Sequence, residues 1–105
     1  MSDVLARLAE TVASRNGADP SSSYTASLLA KGRAKCAEKF GEEAVEAIIA
    51  AASGDEDGLK GEAADVLYHL LVLLEACDVP LADVLATLEA RVGTSGHAEK
   101  AARKA

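Results

Sequence analysis

Four acidic side chains form two short pairs in the middle of the chain. Glu43 and Glu46 are three residues apart, and so are Glu62 and Asp65. Residues at this spacing share one face of an α-helix, so each pair can direct its carboxylates at one point. The turn-forming sequence SGDEDG separates the pairs. An antiparallel helical hairpin centred on Gly54 would place Glu46 opposite Glu62 and Glu43 opposite Asp65.

Carboxylates gathered in this way have a definite chemistry. Four of them cannot all stay ionised at close range without a counter-charge, because like charges raise each other's pKa. A divalent cation removes the conflict, and oxygen ligands without a His or Cys pattern indicate Mg²⁺ or Mn²⁺ rather than zinc. The alternative is a solvated acidic face, since Glu42, Glu43 and Glu46 lie opposite an apolar stripe on their own helix, formed by Ala37, Phe40, Ala44, Ile48 and Ala51. The matching acids Glu62 and Asp65 on the other arm of the hairpin favour the metal site.

Helices must position these acids, and the sequence predicts an all-α fold. Apolar residues recur at helical spacing, and no alternating strand pattern is present. Ser2 is expected to cap the first helix, and one of the serines at 21–23 to cap the second. The predicted helices run from the Ser2 cap to about residue 16, then over 24–31, about 34–52, about 59–76 and about 81–91.

Length and composition predict one thin-cored domain. The chain has 105 residues, half of them hydrophobic, yet its aromatic residues are only Tyr24, Phe40 and Tyr68. Small aliphatic side chains must therefore fill the core, and a domain of this size buries only about 60–70% of its unfolded surface. We expect a four-to-five-helix bundle over residues 1–92, completed by dimerisation, followed by a basic tail over 93–105.

Charge and hydropathy exclude several function classes. The formal net charge is −6 and no basic stripe is present, which argues against nucleic-acid binding. The longest apolar run, residues 70–74, is far shorter than the roughly 20 residues that cross a membrane. Cys36 and Cys77 lack a metal-ligand spacing, so we predict two free, buried thiols and a reducing compartment. No signal peptide is visible.

Four segments together resemble one enzyme family over nearly the whole chain. They are SYTASLLAKG (23–32), KFGEEAVE (39–46), EAADVLYHLLVLL (62–74) and the tail TSGHAEKAARKA (94–105). They are similar to the phosphoribosyl-ATP pyrophosphohydrolases, a family of the MazG-like all-α nucleoside triphosphate pyrophosphohydrolases. The resemblance implies Mg²⁺-dependent hydrolysis of phosphoribosyl-ATP to phosphoribosyl-AMP and pyrophosphate, the second step of histidine biosynthesis. It also implies a cytoplasmic location and an obligate homodimer.

This reaction suggests roles for the residues around the acid pairs. Mg²⁺ held by the four acids would bridge phosphate oxygens and neutralise the leaving pyrophosphate. Glu42 is the candidate that orients or deprotonates the attacking water. The candidate phosphate-binding cations lie just upstream: Lys31, Arg33, Lys35 and Lys39. The alternative for these cations is a solvated patch that pairs with Glu38 or Glu42.

Two further side chains have a structural and a functional interpretation. His69 follows Glu62 and Asp65 on the same helical strip, and we predict a buried, hydrogen-bonded structural histidine rather than a group that supports the metal ligands. Tyr24 can stack on a nucleotide base or pack against the protein, and we predict packing.

Two other functions remain open from the sequence. A house-cleaning enzyme of the same superfamily would use the same acids on aberrant (deoxy)nucleoside triphosphates. A non-catalytic helical dimerisation module would carry them only for solubility, and their neutralisation would then leave its function intact.

Overall fold

The computed structural model describes residues 3–92, and these residues form five helices without a strand. The helices are α1 (Val4–Ser14), α2 (Tyr24–Ala30), α3 (Arg33–Ala52), α4 (Glu56–Ala76) and α5 (Leu81–Arg91). The predicted all-α class is confirmed. The expected Ser2 cap is wrong, because α1 begins at Val4 and Asp3 occupies the N-cap position, without a capping hydrogen bond to its side chain. The basic tail lies outside the described residues.

Capping residues explain where the helices begin. The Ser23 side chain accepts a hydrogen bond from the Ala26 amide at 3.1 Å, as expected for an N-cap. Gly32 has φ 93°, a left-handed conformation that suits glycine, and it separates α2 from α3.

The predicted start of α4 at Leu59 is wrong by one turn. Asp55 caps the helix by accepting a hydrogen bond from the Gly58 amide at 2.9 Å, so half of the acidic SGDEDG segment is helical. Glu56 and Asp57 then occupy the first turn, where the helix dipole favours negative charge. The connection between α3 and α4 is therefore only residues 53–55, with Gly54 at φ 77°.

The core lies at one end of the α3–α4 hairpin. Its buried side chains come from α1, α2, the first turn of α3 and the second half of α4: Val12, Leu28, Cys36, Leu71 and Val72. Cys36 and Cys77 are both free, with Cys36 buried and Cys77 only partly covered. No helix in residues 3–92 is long and apolar enough to cross a membrane.

The acid-bearing side of α3 packs against α4, as the helical hairpin predicts. The alternative of a solvated acidic face opposite the apolar stripe is not observed at Glu43, and Ile48 of that stripe is 65% exposed. The buried positions of α3 are Cys36 and Ala50, and Glu43 lies midway between them on the same face. The acid-bearing face therefore packs on α4, and the apolar stripe is only partly covered: Phe40 and Ala44 are half-buried, whereas Ile48 is exposed.

Candidate active site

Three carboxylates from two helices converge in the half of the hairpin nearest the turn. Glu43 of α3 and Glu62 and Asp65 of α4 each place one oxygen within 4.8 Å of the others. Glu43 and Glu62 are partly buried, whereas Asp65 is exposed. The short connection between α3 and α4 produces this juxtaposition, because it sets the antiparallel register.

Glu46, the fourth predicted ligand, stands beside this group rather than in it. It is exposed on α3, one turn after Glu43. A hydrogen bond with Glu46 is the largest cause that raises the pKa of Glu43 to about 7, followed by burial and by the charges of Glu46, Asp65 and Glu62. The structure therefore places all four acids in one electrostatic cluster, with three of them close enough to share an ion.

Glu62 carries the clearest sign that a cation belongs here. Its Oε2 atom is buried and has no hydrogen-bond partner among the described residues. Burial is the largest cause that raises the pKa of this carboxyl, followed by the charges of Glu46 and Asp65. A buried carboxylate oxygen without a partner is costly, and a cation supplies the missing interaction. The all-oxygen donor set fits a hard divalent ion such as Mg²⁺.

An open cavity of about 420 Å³ adjoins the acids, and Lys39 and Glu42 line it. The Lys39 ammonium lies 3.0 Å from a Glu42 oxygen. The pKa of Lys39 is raised, first by the hydrogen bond and charge of Glu42 and then by Tyr24. The site therefore offers one cation and one further carboxylate next to the proposed metal ligands.

The other three predicted cations do not reach this cavity. Lys35 pairs with Glu38 at 3.4 Å, and this pair and that of Lys39 with Glu42 are the surface pairings considered as the alternative from the sequence. Lys31 and Arg33 are exposed where α2 meets α3, one turn or more before Lys39.

A small group of rings borders the site on the α2 side. His69 is only 5% exposed, as predicted, but its Nδ1 atom has no hydrogen-bond partner among residues 3–92. Burial is the largest cause that lowers the pKa of His69, and the charge of Lys39 lowers it further. Tyr24 contacts His69 edge-on, yet remains 57% exposed, so the predicted packing covers less than half of it.

Sequence reasoning missed the link that holds this group together. The hydroxyl groups of Thr25 and Tyr68 are hydrogen-bonded to each other and tie α2 to α4. Neither residue stands in a recognisable motif spacing, so no local pattern indicates the bond.

Comparisons with known proteins agree with this architecture. The family model described as phosphoribosyl-ATP pyrophosphohydrolase matches residues 5–92. A phosphoribosyl-ATP pyrophosphatase from Cereibacter sphaeroides (strain ATCC 17029 / ATH 2.4.9) is 72% identical over 95% of this chain and 97% of its own length. Proteins of the same name from Dinoroseobacter shibae and Rhodobacter capsulatus are 70% and 69% identical, over 95% and 94% of this chain and 98% and 96% of their own lengths. The chain belongs to the phosphoribosyl-ATP pyrophosphohydrolase family.

Proposed function

We propose that this chain hydrolyses phosphoribosyl-ATP to phosphoribosyl-AMP and pyrophosphate, the second step of histidine biosynthesis, with Mg²⁺ at the acidic cluster. The observation that carries the proposal is the convergence of Glu43, Glu62 and Asp65 around the unpartnered Glu62 oxygen. The family to which the chain belongs supports the choice of substrate. A biosynthetic role of this kind implies a cytoplasmic location.

The acids and their neighbours divide the work of binding and hydrolysis. Glu43, Glu62 and Asp65 would hold the ion, and Glu46 would complete the ligand set or support Glu43. When bound, Mg²⁺ neutralises charge that develops on the leaving pyrophosphate. In the proposed step, water attacks the α-phosphorus, the bond from this phosphorus to the α–β bridging oxygen breaks, and pyrophosphate leaves with the bridging oxygen.

Two residues of the cavity would act directly on phosphate and water. Lys39 is placed to bind a phosphate oxygen as a point charge, and binding would draw it from its ion pair with Glu42. The carboxylate released in this way is the proposed group that orients the attacking water and accepts its proton. Lys31, Arg33 and Lys35 remain proposals for contacts with more distant phosphate of the substrate.

A homodimer is part of the proposed function. Large aliphatic side chains are exposed on three helices: Val45, Ile48 and Ile49 on α3, Leu67 on α4, and Leu85 and Leu88 on α5. So many exposed aliphatic residues on a small protein indicate an interaction surface. A second copy of the chain would cover it. The proposed catalytic domain is residues 1–92, with the predicted basic tail over 93–105 outside the described residues.

The test measures pyrophosphate release from phosphoribosyl-ATP and from a panel of deoxynucleoside triphosphates, with Mg²⁺ and with EDTA. We expect Mg²⁺-dependent turnover of phosphoribosyl-ATP. Turnover of the deoxynucleotides with inert phosphoribosyl-ATP would identify a house-cleaning enzyme instead. No turnover of any substrate would favour the non-catalytic dimerisation module.

Paired variants of α4 separate the site from general charge effects. Glu62→Gln should lower turnover by at least about 100-fold. Replacing a group that only supports a metal ligand already costs about 10- to 100-fold, and Glu62 is proposed as a ligand itself. Glu56→Gln removes the same charge from an exposed position on the same helix and should leave turnover unchanged. Equal activity of the two variants would contradict the assignment of Glu62.

A further inference from the structure

Tyr24 has an aromatic ring that is not buried in the core. Its side chain is 57% exposed, whereas Tyr68 and Phe40 are both partly covered. The backbone beneath the ring is well held, because Tyr24 directly follows the Ser23 cap and its carbonyl accepts a hydrogen bond from the Ser27 hydroxyl at 2.6 Å. An exposed ring on a fixed backbone is suited to contact a ligand.

Contacts with α4 fix the direction of this ring. The Tyr24 and His69 rings are 6.3 Å apart between centroids and cross at 88°. His69 is in turn held edge-on by Tyr68, at 5.0 Å and 78°, and the Tyr68 hydroxyl is bonded to Thr25. Two successive residues of α2 thus contact two successive residues of α4. In this T-shaped pair the His69 contact leaves 57% of Tyr24 exposed.

The ring lies on the side of the site where Lys39 stands. Tyr24 is one of the groups that raise the pKa of Lys39, after Glu42, and Lys39 lines the cavity beside Glu43. His69, the partner of Tyr24, follows Asp65 by one helical turn on α4. A molecule whose phosphates reach the acids and Lys39 would therefore bring its next group towards Tyr24.

We propose that Tyr24 is the platform on which the adenine base of the substrate stacks. This inference rests on the proposed function. The ion held by the acids and the Lys39 ammonium would bind the phosphates of a nucleotide, but a purine base needs a flat, apolar surface. The described residues contain three aromatic rings of Phe and Tyr, and Tyr24 is the exposed one.

Kinetics of Tyr24 variants test the proposal. Tyr24→Ala should raise KM for phosphoribosyl-ATP by about tenfold, within the roughly 5- to 150-fold range of a stacked base, and change kcat less. The reason is that stacking on a non-reacting group contributes equally to the ground state and the transition state. Tyr24→Phe keeps the ring and should keep KM within about twofold of the wild-type value. Tyr68→Phe removes the hydroxyl that is bonded to Thr25, so it serves only to assign the fluorine resonances.

Fluorine NMR gives a readout that does not depend on turnover. The chain has two tyrosines and no tryptophan, so labelling with 3-fluorotyrosine yields two resonances, assigned with the two Phe variants. We expect phosphoribosyl-AMP with Mg²⁺ to shift the Tyr24 resonance. A mixture of ribose 5-phosphate and pyrophosphate, which has phosphates but no base, should leave it in place.

The outcomes separate this inference from the proposed function. Wild-type turnover of phosphoribosyl-ATP with an unchanged KM for Tyr24→Ala and a Tyr24 resonance indifferent to phosphoribosyl-AMP would overturn the stacking role alone. A Tyr24→Ala variant that becomes monomeric without a change in KM would assign the ring to the contact between copies and would also overturn it. Failure of the wild type to release pyrophosphate from phosphoribosyl-ATP would overturn the proposed function itself.

Discussion

Neutralising Glu43 should stabilise the metal-free protein, although it removes a proposed ligand. The Glu43→Gln variant keeps the shape of the side chain and removes the negative charge that the neighbouring carboxylates repel. In the folded chain the pKa of Glu43 is raised to about 7, with the Glu46 hydrogen bond as the largest cause, whereas the unfolded chain has the ordinary value of 4.5. Burial and repulsion by the other acids add to the same effect.

The sign and the size follow from proton linkage. Between pH 4.5 and about 7 the folded state binds more protons at Glu43 than the unfolded state, so the free energy of unfolding falls as pH rises through this window. The difference between the two pKa values sets a ceiling of about 3.4 kcal/mol, at about 1.36 kcal/mol per pH unit. Because the site is partly open to water, solvent screening reduces this figure, and we expect about 1 kcal/mol. A gain of this size raises Tm by roughly 4–8 °C in a domain of about 100 residues.

Thermal unfolding followed by circular dichroism measures this effect. At pH 8 with EDTA and at one protein concentration, Glu43→Gln should melt about 4–8 °C above the wild type. At pH 4.5 the two proteins should melt together, because Glu43 is already protonated in the folded wild type. Added Mg²⁺ should raise the Tm of the wild type and not that of the variant.

A control variant removes the same charge elsewhere. Glu10→Gln, at an exposed position of α1, should change Tm little at either pH. If Glu43→Gln melts below the wild type at pH 8 without metal, or if its effect is equal at both pH values, the carboxylates do not repel each other as argued.

Three further variants address the remaining parts of the molecule. Lys39→Ala should raise KM for phosphoribosyl-ATP roughly tenfold, because a charge-assisted contact with phosphate is lost. Lys60→Ala changes an exposed lysine of α4 and should leave KM unchanged; if both variants have the same KM, Lys39 does not belong to the site. Ile48→Asp places a charge on the proposed contact between copies and should convert the dimer to a monomer in sedimentation experiments, whereas Ile48→Leu should not. A wild-type protein that is itself monomeric would contradict the proposed interface. Leu28→Ala should lower the free energy of unfolding by about 2–5 kcal/mol in urea titrations, and Val92→Ala by less than about 0.5 kcal/mol, because only Leu28 is buried.

Local signals in the sequence predicted most helix boundaries correctly. Residues 81–91 were predicted as a helix after Pro80, and α5 has the same bounds. The start of α4 was missed because the Asp55 cap uses the Gly58 amide, which turns a segment with turn composition into the first helical turn. Composition alone does not distinguish these two uses of Asp and Gly.

The face of α3 that packs on α4 could not be predicted from hydropathy. The rule that apolar stripes face the core of their own chain holds for a self-sufficient monomer. Here the acid-bearing face packs inward, and Ile48 remains exposed. The spacing of the acid pairs, and not hydropathy, therefore predicted which side of α3 packs on α4.

Hairpin register explains why the acid cluster was predictable and its surroundings were not. The short turn at Gly54 determines which residues of α3 and α4 meet, so Glu43 and Asp65 could be paired by counting along the chain. The contact between Tyr24 and His69 depends on the angle at which α2 crosses α4. No spacing within one helix encodes that angle.

Binding of Mn²⁺, used as a spectroscopic substitute for Mg²⁺ and followed by electron paramagnetic resonance, tests most directly whether the two helices hold a common ion. The proteins compared are the wild type, Glu43→Gln on α3, Asp65→Asn on α4 and the double variant. If the ion is shared, each single variant should lose most of the affinity of the site for Mn²⁺. The double variant should lose little more, because the effects of two residues that bind the same ion are not additive. Single losses that simply add, or binding that persists unchanged in the double variant, would contradict the account.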